Sequence, residues 1–496
     1  SAARKRFCVS SNAFSAGKLF VALDLGTSSC RALAFNQRGE IIARKSLILA
    51  PKRPQNGLSF YDGNELLRAQ KNVLNSLLTQ VGAQNVRSIS VSCQRSTVVL
   101  WHRQTGEPLA PVLTWEDGRA AAEAENAPVS QAEVHAITGL YKTPYFSAPK
   151  IAWCLKNCPP VKQAAGEKNL LIGPVASYFI WHLTGGKTFA ADPTLAQRML
   201  LWDIRTQTWS ADLCKAFGIE PETLPEIRPS AADYGMYEFE QVKIPLCVCV
   251  GDQQAAAWNR LKDGQTLINY GTGAFLLHNS GCKNICLPGL LTSLSASCKT
   301  PKSDYLLEAP VNAAGSAFQW LGAQGISFDA KKIDSLCALS QNPVWFLPAL
   351  GGLGAPYWDF SLSPVVAGLS PLTQKADWVA GTVRGIAFLL ADIVAYLRAN
   401  KVPVSGPVAV SGGLTHLNYL MQFQAGLLQL PLVLRGESES TALGAAHLAA
   451  DYLQESLQVN TNGETGSFLP NLSVEDAKNL HQKWQAFLTW CKAQPK

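Results

Sequence analysis

Twice in this chain, half a sequence apart, a glycine turn joins two apolar strands, and this repeated feature constrains the fold more than any other. Residues 19–23 (Leu-Phe-Val-Ala-Leu) are short, apolar and β-prone, and they lead through Asp24 and Leu25 into Gly26-Thr27-Ser28-Ser29. A returning strand over 31–35 follows at once. Near the middle, 266–269 reads as a strand, Tyr270-Gly271-Thr272-Gly273 as a small-residue turn, and 274–278 as the second returning strand. Two such units, each opening half of the sequence, predict a pair of related domains facing one another across a cleft.

The same turns exclude one nucleotide site. A P-loop runs from strand into helix, whereas these turns join strands, and no G-x-x-x-x-G-K-[ST] sequence is present. Elsewhere short apolar strands alternate with amphipathic segments: a strand is predicted over 86–92 and helices over 64–80, 175–183 and 376–400. This alternation indicates the α/β class. A strand over 408–410 runs into Ser411-Gly412-Gly413 and then a helical pattern through Leu420, Met421, Phe423 and Leu427. Such a junction lets a nucleotide rest on backbone.

Composition narrows the partners. With 496 residues and 47% hydrophobic, the chain is large enough for two or three cores. Its net charge of +7 is spread over 43 Lys and Arg against 36 Asp and Glu without a long run of one sign, so no nucleic-acid partner is expected. No run of eighteen apolar residues occurs, so no membrane span is expected. Thirteen cysteines lie scattered, the closest being Cys247 with Cys249, Cys154 with Cys158 and Cys282 with Cys286. They lack the paired spacing of a zinc site and read as free thiols of a reducing compartment, the cytoplasm being the expected location. Residues 1–18 carry Arg4, Lys5, Arg6 and Lys18 with several serines and no acid. They read as a disordered tail, or as a targeting remnant that would place the protein in an organelle.

Phosphoryl transfer from a nucleotide needs donors around the phosphates, a carboxylate near the metal, and a base for the acceptor's proton. Gly26, Gly271 and Gly273 let backbone approach closely, and Thr27, Ser28, Ser29 and Thr272 add hydroxyls. Asp24, at the end of the first strand, is placed to hold Mg²⁺ directly or through water. A second carboxylate, Asp252, follows the apolar run 244–251 and precedes a small-residue helix, so it points from a strand's C-terminal end into a cleft and is the other candidate metal ligand. Taken alone, each Asp reads equally as a turn or helix cap.

Taken together the motifs resemble the FGGY carbohydrate kinases, a branch of the actin, hexokinase and heat-shock ATPase fold, from about residue 19 to 450. Within that family the likeness is to the glycerol kinase branch. It runs through Cys93-Gln94-Arg95, Thr105-Gly-Glu-Pro108, Trp115, Pro144-Tyr145-Phe146-Ser147 with Lys150 and Trp153, and Gly251-Asp252-Gln253-Gln254-Ala255-Ala256. It continues, in the same order, through Tyr270-Gly-Thr-Gly-Ala-Phe275, Gly352-Leu-Gly-Ala-Pro-Tyr-Trp-Asp359, Leu420-Met-Gln-Phe-Gln424 and Thr441-Ala-Leu-Gly-Ala-Ala446.

The resemblance implies an α/β fold of two actin-like (ribonuclease H-like) ATPase domains facing a central cleft, over residues 19–262 and 263–455, with a helical tail over 456–496. It implies ATP and Mg²⁺ as cofactors and a small polyol or sugar as acceptor, and dimers common in the family make a homodimer compatible. It assigns the general base to Asp252 and the acceptor pocket to Arg95, Ser96, Trp115, Tyr145, Asp252, Gln253 and Phe275. Arg31 and the two turns are assigned to the phosphates, and Gly315, Gln319, Gly412, Gly413 and Asn418 to the nucleoside. Taken alone, Trp115 and Phe275 read equally as core aromatics.

Three departures stand out. Ser96 occupies the place of an acid that follows the pocket Arg in glycerol kinases, Ser411 replaces an Asp, and Leu417 replaces an Asn. Glu116 and Asp117 are candidates to supply the missing carboxylate, although a solvated loop acid is the plainer reading of both. No counterpart of the loop that binds fructose bisphosphate in some bacterial glycerol kinases precedes Ile244. Glycerol is the first acceptor expected; a pentulose, erythritol or another linear polyol is the alternative. A non-transferring ATPase or sensor is the more distant one, since it would need no polyol pocket.

Overall fold

The structure, a computed structural model, describes residues 18–55, 57–258, 261–300, 303–435, 439–458 and 464–494. The expected tail, apart from Lys18, lies outside them.

The first sheet is built from β1 (Leu19–Leu25), β2 (Ser29–Phe35), β3 (Ile41–Ile48), β4 (Val86–Cys93), β5 (Met236–Phe239) and β6 (Val242–Gly251), in the order β5-β6-β4-β1-β2-β3. Strands β1, β4 and β6 are parallel, while β1, β2 and β3 are antiparallel neighbours. All of β1 is buried, as a continuous apolar run in a parallel sheet requires.

The second sheet repeats the plan. Its strands are β7 (Thr266–Tyr270), β8 (Ala274–Gly281), β9 (Leu291–Leu294), β10 (Tyr305–Val311), β11 (Val408–Ser411), β12 (Leu432–Arg435) and β13 (Glu464–Phe468), ordered β9-β10-β8-β7-β11-β12-β13. Here β7 and β8 form the antiparallel hairpin, β10 pairs antiparallel beyond β8, and β11 and β12 extend β7 in parallel. Five strands in each sheet therefore share one order and one set of directions, and the repeated glycine turns sit at the same place in both.

The expected helices form at Gly63–Val81, Val175–Leu183 and Lys375–Ala399. The last is long and apolar enough to cross a membrane, but 83% of that window is buried against the rest of the chain, as in a core helix. Its apolar side meets Trp484 of the C-terminal helix Val474–Ala493, where Phe388 and Trp484 stack at 4.9 Å. Asp392 accepts from His481 Nε2 at 2.7 Å and Trp484 Nε1 at 2.8 Å. The segment expected as a tail after 456 is thus part of the second sheet's core, because β13 and this helix cover its edge and face.

The helix Ser440–Leu453 behaves in the opposite way. Expected with the second domain, it packs its alanine face on the first sheet, among Phe20, Ala22, Leu33 and Val250. The contact is backbone-close: a Cβ on Gly444 would come within 1.8 Å of the Ala255 carbonyl oxygen. Only glycine fits there.

Candidate active site

Strand register brings the site together. Leu25 lies opposite Cys93, and Cys93 opposite Gly251, so the three parallel strands end level with one another. Asp24, Gln94, Arg95 and Asp252 consequently emerge at one C-terminal edge, where open α/β sheets bind ligands.

Asp252 opens the helix Asp252–Ala257, and one carboxylate oxygen accepts from the Gln253 amide at 2.8 Å. Arg95 Nε stands 3.5 Å from that same oxygen. Surrounding protein pushes the Asp252 pKa up to about 6; Arg95 opposes the rise, and the like charges of Asp24 and Glu308 add to it. Behind it, the Gly251 amide donates to Thr194 Oγ1 at 2.9 Å, and that hydroxyl donates to buried Asp192. Asp192, pushed up to about 6 by burial, also accepts from Ser230 Oγ and the Leu195 amide.

Arg95 is held from the other half of the molecule. Its Nη1 and Nη2 reach the two oxygens of Glu308 at 3.1 and 3.2 Å, while Arg198 Nη2 reaches Glu308 Oε2 at 2.6 Å. Ser293 Oγ donates to the same oxygen at 3.0 Å. Burial pushes Glu308 up, yet Arg198 and Arg95 together hold it well below the usual carboxylate range. Neither Glu308 nor Arg198 was read from the sequence. The available signal was a lone acid inside the otherwise apolar stretch 305–311 and a base set directly before the apolar run 199–202.

The aromatic residues join the same place. The rings of Trp115 and Tyr145 lie 5.4 Å apart; Tyr145 is 37% exposed, and the protein packed around its phenol raises the phenol pKa amid the charges of Arg95, Arg198, Glu308 and Asp252. Lys150, wholly buried and pushed down to about 7 by burial, donates to the carbonyls of Tyr145 and Phe146 at 2.5 and 3.3 Å and so fixes that backbone. Phe275 pairs with Pro310, and Leu277 with Glu308, which puts Phe275 on the sheet face that carries Glu308.

Ser96 is buried in left-handed backbone at φ 64°, and its hydroxyl has no hydrogen-bond partner among the described residues. The acids considered as replacements are committed elsewhere. Asp117 is not a solvated loop acid but is 1% exposed, bound to Arg119 at 2.7 and 2.8 Å and to the Ser59 amide. Glu116 pairs with Arg53 and Ser59.

The first turn is tied to the pocket: Trp115 Nε1 donates to Thr27 Oγ1 at 2.9 Å, and that hydroxyl donates to Gln94 Oε1 at 3.2 Å. The Thr27 side chain thus braces the turn against the pocket, while Ser28 is exposed between Thr27 and Ser29. Arg31 binds Asp24 and, at 2.9 Å, Glu439. Burial pushes Asp24 up against the pull of Arg31.

The second turn, Gly271-Thr272-Gly273, faces solvent on one side and receives the start of the helix Gly315–Ala323 on the other. The Gly315 and Ser316 amides donate to the Gly271 and Thr272 carbonyls at 2.9 and 3.0 Å. Gly412, at φ 99°, passes so near Tyr270 that a Cβ would meet its carbonyl oxygen at 2.3 Å. Gly413, Gln319 and Asn418 are exposed on this half, with the Asn418 amide capped by Asp334 at 2.9 Å. Ser411 Oγ accepts from Asn269 at 3.0 Å.

Comparison with known proteins gives one answer. Residues 19–258 match the N-terminal domain of the FGGY family of carbohydrate kinases, and residues 266–451 its C-terminal domain. Glycerol kinase of Trichlorobacter lovleyi is 34% identical over 479 residues, covering 94% of this chain and 97% of that protein. Glycerol kinase of Thermus brockianus is 33% identical over 482 residues, with 94% and 97% covered. Among solved structures, Plasmodium falciparum glycerol kinase with ADP superposes with a TM-score of 0.90 at 27% identity, over 96% of this chain and 99% of that one. Xylulose kinase of Rhodospirillum rubrum shares the fold, with a TM-score of 0.84 at 22% identity over 95% and 98%.

Proposed function

This chain belongs to the FGGY family of carbohydrate kinases and is an ATP-dependent kinase of a polyol or sugar; from that premise we propose that it transfers the γ-phosphoryl group to a terminal hydroxyl of glycerol. The observation that carries this reading is the 3.5 Å approach of Arg95 to Asp252 at the strand edge beside the Trp115 and Tyr145 rings.

Asp252 takes the proton of the acceptor hydroxyl. With a pKa near 6 it is mostly a carboxylate at neutral pH and a stronger base than an ordinary Asp. Arg95 and Gln253 hydrogen-bond the hydroxyls, while Trp115, Tyr145 and Phe275 offer apolar faces to the C–H side. The backbone of the turns at Gly26 and Gly271 cradles the phosphates, and Gly315, Gln319, Gly412, Gly413 and Asn418 border the nucleoside. Closure of the two halves excludes water, which favours transfer over hydrolysis.

The carboxylates suit Mg²⁺: Asp24, paired with Arg31, and Asp252 leave one sheet edge, and the charge of Asp24 raises Asp252. Asp24 and Asp252 would hold the ion, which when bound would neutralise phosphate charge.

One observation favours a longer acceptor. The Ser96 hydroxyl is buried without a hydrogen-bond partner among the described residues, and Glu116 and Asp117 are engaged elsewhere. A buried polar group is ordinarily satisfied, so this hydroxyl suits a further hydroxyl of erythritol or a pentulose.

An acceptor panel with ATP tests both readings through acceptor-dependent ADP release. Turnover on glycerol supports the first, and preference for erythritol or a pentulose replaces it with the second. Release of ADP that ignores every acceptor overturns both.

A further inference from the structure

Away from the acceptor and nucleotide sites, a thiol and an imidazole meet where the two halves of the molecule touch. Cys286 Sγ lies 3.3 Å from His135 Nδ1, and His135 Nε2 lies 3.1 Å from the Leu290 carbonyl oxygen. A carbonyl only accepts, so Nε2 carries the hydrogen and Nδ1 presents a lone pair to the thiol. The imidazole is buried and stacked on Tyr141 at 4.7 Å, whereas Cys286 is exposed. Packing on its inner side pushes the Cys286 thiol up; the His135 lone pair at 3.3 Å is the nearer acceptor for its proton, the His135 carbonyl lying 3.8 Å away.

We propose that Cys286 and His135 form a reactive thiol site that is oxidised by peroxides. The thiol proton moves to Nδ1, and the thiolate attacks one peroxide oxygen. The O–O bond breaks, sulfur is oxidised by two electrons to the sulfenic acid, and the departing hydroxide leaves as water with the proton from Nδ1.

The position gives this oxidation a consequence. His135, Gly139 and Tyr141 belong to the first half, and the segment 282–292 to the second. Beside the Leu290 contact, the Thr292 amide donates to the Gly139 carbonyl at 2.9 Å, and the Gly289 amide to the Tyr141 hydroxyl at 2.6 Å. The next residue, Ser293, bonds both Glu308 and Arg198. An oxygen added to Sγ intrudes on the His135 contact and loosens the strand that sets Glu308, and through it Arg95.

Cys282, exposed four residues earlier, is an internal control: among the described residues it has no imidazole within hydrogen-bond distance. In the full-length protein treated with limiting iodoacetamide, peptide mass spectrometry is expected to show Cys286 alkylated about tenfold faster than Cys282, with the advantage lost in His135→Gln. Hydrogen peroxide is expected to raise the acceptor KM about three- to tenfold in the unmodified sequence and to leave Cys286→Ala, whose untreated turnover is normal, unaffected. Equal alkylation of the two cysteines, or equal peroxide sensitivity in Cys286→Ala, overturns the proposal.

Discussion

Arg95 meets both carboxylate oxygens of Glu308, at 3.1 and 3.2 Å, and this ion pair crosses from the first half of the molecule to the second. The guanidinium that faces the proposed acceptor is therefore aimed by a residue of the opposite half. Since Arg198 shares the same carboxylate, Glu308 balances two buried cations.

Removing that balance is costly. Glu308→Gln keeps the shape but leaves Arg198 without its counter-charge and Arg95 with Asp252 alone, a change worth about 3–5 kcal/mol for a broken buried pair. Thermal unfolding is expected to move down accordingly, and steady-state kinetics to show an acceptor KM raised more than about tenfold, equivalent to about 1.4 kcal/mol, with the KM for ATP little changed. An equal loss for both substrates would contradict the positioning role.

The pH profile follows from Asp252. A general base must be unprotonated, so turnover is expected to fall as pH drops through about 6, where an unperturbed Asp would work down to about 4. The stability term has the opposite sign. A carboxyl whose folded pKa lies above its unfolded value favours the folded state below the unfolded pKa, and that contribution is lost as pH rises through about 6. Rate measurements between pH 5 and 8, alongside unfolding at the same pH values, separate the two effects.

Gly444 is a test of the helix that carries the base. An added Cβ would stand 1.8 Å from the Ala255 carbonyl oxygen, inside the helix Asp252–Ala257. Gly444→Ala is expected to destabilise by about 1–3 kcal/mol and, by displacing Asp252, to lower kcat by about tenfold or more. A fully active, equally stable variant would show that this approach is not tight.

Asp392 tests the opposite end. It anchors His481 and Trp484 of the C-terminal helix, far from the proposed chemistry in sequence and in packing. Asp392→Ala leaves the Trp484 indole N–H and the His481 ring without their acceptor, and a loss of about 2–4 kcal/mol in unfolding is expected. Kinetic constants at a temperature where the variant is folded are expected to be unchanged.

The sequence made some of this legible for identifiable reasons. Hairpin turns and strand ends are local, so Gly26, Gly271, Asp24 and Asp252 announce themselves through short patterns. The buried charges are different: Glu308 lies 213 positions from Arg95 and 110 from Arg198, and only the meeting of two sheets makes them partners. The same holds for Ser440–Leu453, whose helical pattern is plain but whose return to the first sheet depends on tertiary packing. Asp117 reads as a loop acid because nothing local signals that Arg119 and the Ser59 amide enclose it.

The most direct measurement is acceptor-dependent ADP release by Asp252→Asn beside parallel measurement of ATP binding. The substitution preserves size and removes the base, so the account predicts turnover reduced by about 10²–10⁴-fold with ATP affinity retained. Near-normal turnover in Asp252→Asn would contradict it.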